Sequence, residues 1–229
     1  EAHTPKDRNA VRFLSIIFRK RSSSSIKALG VTLKRRLAKL GTVNADAVLQ
    51  NQRYIQGADG DDEDFDEDEF EERTNQAEGF TVGTDIEQEK IDLRKLIATV
   101  QELGDKDSKL EMLHDFIKNL KTKDPNAKLI LFTEYRDTLD YLFNSLSEKY
   151  RVGKIDGSMD INERKKALND FRDNDGPEVL VCTDAAGEGI DMQFCNIEIN
   201  YDLPWNPNKL EQRMGRIHRI GQVRDVSYY

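Results

Sequence analysis

From residue 128 to residue 229, short apolar segments alternate with amphipathic stretches, and this alternation limits the fold more than any other feature. The apolar segments predict strands at 128–133, 151–155, 178–183, 196–201 and 225–229, and the stretches between them predict helices at 136–148, 160–173 and 207–217. Strands that alternate with helices favour a parallel sheet covered by helices on both faces. Asp160 with Glu163 fits a capping box, and Pro207 after Asn206 fits a first helical turn.

The first half of the chain is predicted to be helical, with an acidic linker. An apolar stripe at three- and four-residue steps indicates one helix: Ile26, Leu29, Leu33, Leu37 and Leu40. The serine run 22–25 offers its N-cap, and further helices are expected at about 84–103 and 107–122. We divide the chain into a basic helical appendage (1–56), a flexible acidic linker (57–83), helices leading into the lobe (84–125) and the α/β lobe (126–229).

The charge is distributed unevenly along the chain. The net charge is −8, but residues 59–72 hold 11 acidic side chains and no basic one. Residues 1–56 carry 12 Lys and Arg against Glu1, Asp7 and Asp46. This asymmetry suggests a nucleic-acid-facing part beside an acidic tract. The alternative is a solvated helix face beside a disordered linker.

Several classes of protein are not expected. The sequence has no apolar run of the ~18 residues that a membrane span needs, and its first residues lack an apolar signal core. We expect a cytoplasmic protein with no membrane contact, associated with the nucleoid of a prokaryote. Cys182 and Cys195 are expected to be buried free thiols, and the three His and two Cys have no metal-site spacing.

The segment QRMGRIHRIGQ (212–222) is the strongest candidate for chemistry. It places Arg216 and Arg219 three residues apart, a spacing that puts two side chains on the same face of a helix. Two planar, permanently charged heads can stabilise a phosphoryl group in transfer. The alternative for an isolated pair of this kind is a solvated basic helix end.

This segment resembles motif VI of the superfamily 2 helicases and translocases, and its HRIGQ ending is similar to the Swi/Snf-type branch. Three more segments match in order: LILFTEYRDTLDYL (129–142) is similar to motif IV, IDGSMDINERKKALNDF (155–171) to the strand, turn and helix that follow it, and VLVCTDAAGEGIDMQFCN (179–196) to motif V. The resemblance covers roughly 105–229. It implies a RecA-like C-terminal lobe.

The resemblance also implies roles for residues near a nucleotide. Arg219 would be the arginine finger, and Arg216 its partner that couples lobe closure to nucleotide. Gln212 would position nucleotide or water, while Glu188, Gly189 and Asp191 would lie toward the cleft. Arg213 is less certain, and its offset turns it toward the lobe surface. Trp205 is read as a structural wedge rather than a stacking platform.

A second set of residues is assigned to the nucleic-acid backbone. Thr133 and Arg136 follow the first strand, Gly157 and Ser158 the second, and Thr183 and Gly187 the third. Open α/β sheets bind ligands at the carboxyl ends of their strands, and phosphate contacts position a protein without reading sequence. We therefore expect contacts with double-stranded DNA that show little base specificity.

The sequence contains no phosphate loop of the form GxxxxGK[ST]. The resemblance therefore implies that ATP and Mg²⁺ are bound mainly by a missing N-terminal RecA-like lobe of the same chain, and that this fragment alone is inactive. The helical appendage is a possible surface for a protein partner. Two alternatives remain: a non-catalytic nucleic-acid-binding scaffold, or a lobe of an RNA helicase.

Overall fold

The computed structural model describes residues 15, 17–40, 86–104, 106–184, 192–204 and 206–229. The chain divides into two compact units, Glu1–Lys106 and Asp107–Tyr229. The predicted acidic linker lies outside the described residues. So do Trp205 and four candidate site residues, Gly187, Glu188, Gly189 and Asp191. No helix in the described ranges is long and apolar enough to cross a bilayer.

The first unit contains two helices that pack on each other, α1 (Ile26–Lys39) and α2 (Ile86–Glu102). Ser25 caps α1 as predicted, because its hydroxyl accepts from the backbone N–H groups of Lys27 and Ala28. The apolar stripe of α1 meets Leu93 of α2. Beside this contact, Arg36 Nε donates to Glu89 Oε1 at 2.7 Å.

The second unit is a five-stranded parallel sheet with helices. Its strands are β1 (Leu129–Thr133), β2 (Val152–Ile155), β3 (Val179–Thr183), β4 (Ile197–Asn200) and β5 (Ser227–Tyr228). The helices are α3 (Ser108–Lys123), α4 (Arg136–Ser147), α5 (Ile161–Arg172) and α6 (Pro207–Ile217). The strand order is β2-β3-β1-β4-β5, and every pair is parallel. The predicted α/β fold is confirmed.

Successive residues of β1 point to opposite faces of the sheet, so each face has its own apolar core. Leu129 and Leu131 pack with the buried face of α3 and α4, whereas Ile130 and Phe132 pack with Phe171 of α5 and Ile217 of α6. All five residues of β1 are buried, as expected for a central strand covered on both sides.

The boundary between the units differs from the predicted segments. We grouped 84–125 as one set of helices leading into the lobe. In the structure α2 packs on α1, while α3 contributes Leu110, Leu113 and Ile117 to the core beneath the sheet. The two helices are divided because each one's apolar stripe is buried in a different core.

Local sequence signals fix the helix starts near the site. Asp160 and Glu163 form the predicted capping box at the start of α5. The Asn206 side chain accepts from the backbone N–H of Asn208 at 2.9 Å, and Pro207 occupies the first turn of α6. These caps determine where α5 and α6 leave the carboxyl edge of the sheet.

Candidate functional site

The carboxyl edge of the sheet brings polar residues from four strands together. Thr133 ends β1 and Thr183 ends β3, and the two are paired in the β1–β3 register. Asp156 follows β2, and Asp202 lies just beyond β4. This is the edge where an open parallel sheet presents binding residues.

The two threonines predicted to contact phosphate are inside the protein. Neither Thr133 nor Thr183 has any exposed surface. Thr133 Oγ1 donates to Asp202 Oδ2 at 2.5 Å, and the Thr183 hydroxyl makes no hydrogen bond within the described part of the chain. The predicted direct contact of these hydroxyls with a nucleic-acid phosphate is therefore wrong for this structure. Thr133 instead orients Asp202.

Three other residues predicted to contact the nucleic-acid backbone, Arg136, Gly157 and Ser158, lie at one partly exposed corner. Arg136 Nε lies 3.8 Å from Asp156 Oδ1, and the arginine side chain is 35% exposed. Asp156 also accepts from the backbone N–H of Ser158 at 2.8 Å and from the Ser158 hydroxyl. The Gly157 carbonyl accepts from Arg164 Nη2 at 2.8 Å. Arg136 and Ser158 therefore share Asp156 as a partner, next to Gly157 in the chain.

The two arginines of the motif VI segment do not share a helix face. Helix α6 ends at Ile217, and His218 is its C-cap with φ −97° and ψ 81°. Arg216 lies in the last turn and is 9% exposed, whereas Arg219 lies beyond the helix and is exposed. The predicted helix bounds 207–217 are confirmed. The expectation that Arg216 and Arg219 share one helix face is wrong, because Arg219 lies outside the helix, in a segment that turns at Gly221 with φ +110°.

Arg216 lies in a buried polar region between α6 and the sheet. Its charge acts on Glu198 of β4, a carboxyl with no exposed surface. Burial raises the pKa of Glu198 to about 7, although the Asn200 side chain and the charges of Arg213 and Arg216 oppose that rise. The Arg216 backbone carbonyl accepts from Met192 N–H at 3.2 Å, which holds the end of α6 against the segment that precedes β4.

Arg213 is a structural residue that the sequence analysis assigned wrongly. It is 1% exposed rather than turned toward the lobe surface. Its Nε and Nη2 donate to the two Asp184 carboxylate oxygens at 2.5 and 2.8 Å, while Nη1 donates to Asn200 Oδ1 at 2.8 Å and to the Asp202 carbonyl at 2.9 Å. The helical pattern held a signal for this burial, because Arg213 is four residues before the core residue Ile217.

Gln212 and Arg219 remain accessible. Gln212 is exposed on α6, one position from the buried Arg213. Gln193, His218, Arg219 and Ile220 line an open cavity of about 650 Å³. Gln193 belongs to the segment that precedes β4, and neither Arg136 nor Ser158 lines this cavity.

Residues 108–221 match the family model of the helicase conserved C-terminal domain. This part of the chain is a helicase C-terminal domain. It contains all the site residues described above, from the end of β1 to the turn after α6.

Curated relatives agree with this helicase C-terminal domain assignment. An uncharacterized ATP-dependent helicase of Bacillus subtilis, YqhH, is 43% identical over 53% of this chain and 21% of its own length. The ATP-dependent DNA helicase DDM1 of Arabidopsis thaliana is 34% identical over 63% of this chain and 19% of its own length. The pre-mRNA-processing ATP-dependent RNA helicase PRP5 of Candida albicans is also 34% identical, over 61% and 16%. The chain therefore spans about a fifth or less of the length of these relatives.

A solved structure supports the fold of the helicase C-terminal domain. The Hef helicase domain of Pyrococcus furiosus aligns with a TM-score of 0.51 and 20% identity, over 89% of this chain and 36% of its own length. At that identity the likeness concerns the fold alone. The RecA-like architecture predicted from the alternating strands and helices is confirmed.

Proposed function

We propose that this chain supplies the second motor lobe of an ATP-dependent double-stranded-DNA translocase of the Swi/Snf type. The observation that carries the proposal is the exposed Arg219, which lines an open cavity immediately after α6 of the helicase C-terminal domain. An arginine that reaches into the nucleotide cleft of a two-lobe motor neutralises charge as it develops on the transferring γ-phosphoryl group.

The unequal burial of Arg216 and Arg219 supports different roles for the two arginines. Arg219 is exposed and has the reach of a finger, whereas Arg216 is held in the buried region near Glu198. A buried charge at the end of α6 moves with the helix. Arg216 is therefore suited to couple lobe closure to nucleotide, and Gln212 lies exposed on the same helix to help position nucleotide or water.

ATP and Mg²⁺ would be shared with another lobe. The exposed guanidinium of Arg219 and the open cavity beside it fit an anionic phosphate. The sequence has no phosphate loop, so the N-terminal RecA-like lobe would hold the metal and most of the nucleotide. This chain would supply charge neutralisation and coupling to DNA.

The corner at the carboxyl edge supports a backbone contact with nucleic acid. Arg136 is partly exposed beside Ser158, and the capped start of α5 follows directly. Helix starts and arginines are common phosphate contacts in protein–DNA interfaces. The HRIGQ ending favours the Swi/Snf-type branch and hence duplex DNA. An RNA-dependent lobe is the second candidate, because a relative named as an RNA helicase is as similar as one named as a DNA helicase.

The proposal is tested by Arg219→Ala in the full-length protein. We expect kcat for ATP to fall about 10³-fold, the scale for loss of an arginine finger. The Kd for duplex DNA should stay within about twofold, because neither Arg136 nor Ser158 lines the cavity of Arg219. DNA-stimulated ATP turnover and DNA binding by anisotropy measure the two effects.

Arg224→Ala is the matched control. Arg224 is also exposed and lies five residues further along, but it does not line the cavity. It should keep normal turnover. Normal turnover in Arg219→Ala would remove the finger assignment, and an equal loss in both variants would indicate a general effect of charge.

A further inference from the structure

The chain forms a tight turn directly after the motif VI helix, and this turn presents Arg219. The backbone N–H of Gln222 donates to the Arg219 carbonyl at 3.1 Å, so residues 219–222 form a closed four-residue turn. Gly221 occupies the third position with φ +110°. A positive φ at that position is the requirement of a type II turn and favours glycine.

The side chain of Gln222 anchors this turn to two other segments. Its Nε2 donates to the carbonyls of Gln193 at 2.8 Å, Cys195 at 3.0 Å and Ile217 at 3.1 Å. Its Oε1 accepts from the backbone N–H of Arg224 at 3.1 Å. One amide group therefore ties the end of α6, the turn and the segment before β4 together. Its two N–H groups serve three carbonyls, so at least one hydrogen bond is shared.

The anchor matters because the guanidinium of Arg219 is held only through its backbone. The side chain is exposed at the cavity, and the structure shows no hydrogen bond or ion pair to it from the described residues. An arginine side chain has several rotatable bonds, so the position of its head depends first on where the Cα is fixed. The backbone at Arg219 is fixed by the bond to Gln222.

We infer that Gln222 is a positioning residue for the arginine finger. It fastens the 219–222 turn to the carbonyls of residues 193, 195 and 217. The backbone of Arg219 is therefore already in position when a nucleotide phosphate binds. The inference rests on the proposed role of Arg219. A displacement of about 1 Å in a catalytic group can lower a rate by ~10²-fold, so loosening this turn should slow chemistry without removing any group that touches nucleotide.

The test is Gln222→Met in the full-length protein. Methionine has nearly the shape of glutamine but lacks its amide, so all four side-chain hydrogen bonds are lost. We expect kcat for ATP to fall roughly 10- to 100-fold, while the Kd for duplex DNA stays within about twofold. Asn196→Leu is the matched control, because it removes one amide bond to the Asp225 carbonyl, 2.9 Å long, next to β4. It should lower the melting temperature without lowering kcat.

A double-mutant cycle separates positioning from simple destabilisation. If Gln222 acts through Arg219, Gln222→Met causes no further loss of kcat in an Arg219→Ala background. Independent, multiplying losses overturn the inference. If Arg219→Ala lowers kcat and Gln222→Met does not, the inference about Gln222 is wrong, but the assignment of Arg219 as the arginine finger still holds. Normal turnover in Arg219→Ala removes the proposed function itself.

Gly221→Ala provides a second variant that reaches the turn without touching the amide. A Cβ on Gly221 would lie 3.0 Å from the Gln193 side-chain oxygen, on a backbone with φ +110°. We expect the same pattern of lowered kcat and unchanged DNA affinity. If Gln222→Met does not fold, Gly221→Ala with normal kcat overturns the inference, and Gly221→Ala with the expected loss supports it.

Discussion

Glu198 is a buried carboxyl that the charges of Arg213 and Arg216 act on. It lies on β4 with no exposed surface, and its Oε1 accepts from Asn200 Nδ2 at 3.1 Å. Its Oε2 has no hydrogen-bond partner within the described residues. Burial raises its pKa from 4.5 to about 7. The charge state of the region around Arg216 therefore changes close to neutral pH.

Replacing Glu198 with Gln should stabilise the chain at high pH and not at low pH. Because the folded pKa exceeds the unfolded value, the native state holds this proton more tightly, and the stabilisation is complete below pH 4.5 and lost as pH rises through 7. We expect Glu198→Gln to match the parent at about pH 4 and to unfold with a free energy higher by about 1–3 kcal/mol near pH 8. Urea unfolding across this range measures the difference.

Glu178→Gln is a control with the opposite sign. Burial raises the pKa of Glu178, but hydrogen bonds from Lys121 and from the Arg151 backbone, with their charges, outweigh burial and lower it overall. Its stabilisation is present above the unfolded pKa and lost as pH falls, so Glu178→Gln should be destabilising at neutral pH and less so in acid. A Glu198→Gln effect that does not change with pH would mean that Glu198 does not titrate in this range.

At the scale of elements, helix α6 is fastened to the sheet by Arg213. One guanidinium joins α6 to Asp184 after β3, to Asn200 of β4 and to the Asp202 carbonyl, and it lies 5.3 Å from the Phe132 ring of β1. Asp202 in turn binds Thr133 and Lys109 of α3. The segments that resemble motifs IV, V and VI therefore meet in one hydrogen-bonded network, and a shift of α6 must disturb all of them.

Arg213 and Asp184 form an ion pair. Replacing only one of the two residues should lower the free energy of unfolding more than replacing both. Asp184→Asn leaves the buried Arg213 charge without its counter-ion, and we expect a loss of about 3–5 kcal/mol in unfolding free energy. The double variant with Arg213→Met should lose clearly less than the sum of the single variants. Asp140→Asn breaks the exposed Lys154–Asp140 pair and should cost below ~1 kcal/mol. Additive losses in urea unfolding would show that the two residues do not act as a pair.

The helices and strands show which features of the fold can be predicted from the sequence. Strand positions, the capping box at Asp160 and the start of α6 at Pro207 depend on neighbouring residues, and all were predicted. The burial of Arg213 depends on Asp184, 29 positions earlier in the chain. The turn that contains Arg219 ends at Gln222, whose side chain donates to the carbonyls of residues 193 and 195. Such long-range partners are not readable from local periodicity. The helix bounds 207–217 were predicted correctly, whereas the shared face of Arg216 and Arg219 was not.

At the scale of the whole molecule, the helicase C-terminal domain offers only part of what the proposed motor needs. It has an arginine at a cavity and Arg136 at the strand ends, and the sequence holds no phosphate loop. Positioning and charge neutralisation carry most of phosphoryl-transfer catalysis, and they act only when nucleotide is held opposite. Under the proposed function, this lobe would contribute to the rate only when a second lobe closes on it.

The isolated chain should therefore show no ATP turnover above background, with or without DNA. Turnover should appear when the chain is joined to the N-terminal lobe of its own protein. Duplex DNA should stimulate it more than an RNA duplex of the same sequence, because the HRIGQ ending favours the DNA-tracking branch. Phosphate release with each nucleic acid measures this turnover. Arg219→Ala in the two-lobe protein is the control, because it should abolish most of the turnover if Arg219 is the arginine finger.

Robust DNA-stimulated hydrolysis by the chain alone contradicts the two-lobe interpretation. Stronger stimulation by RNA than by DNA would indicate the lobe of an RNA-dependent motor.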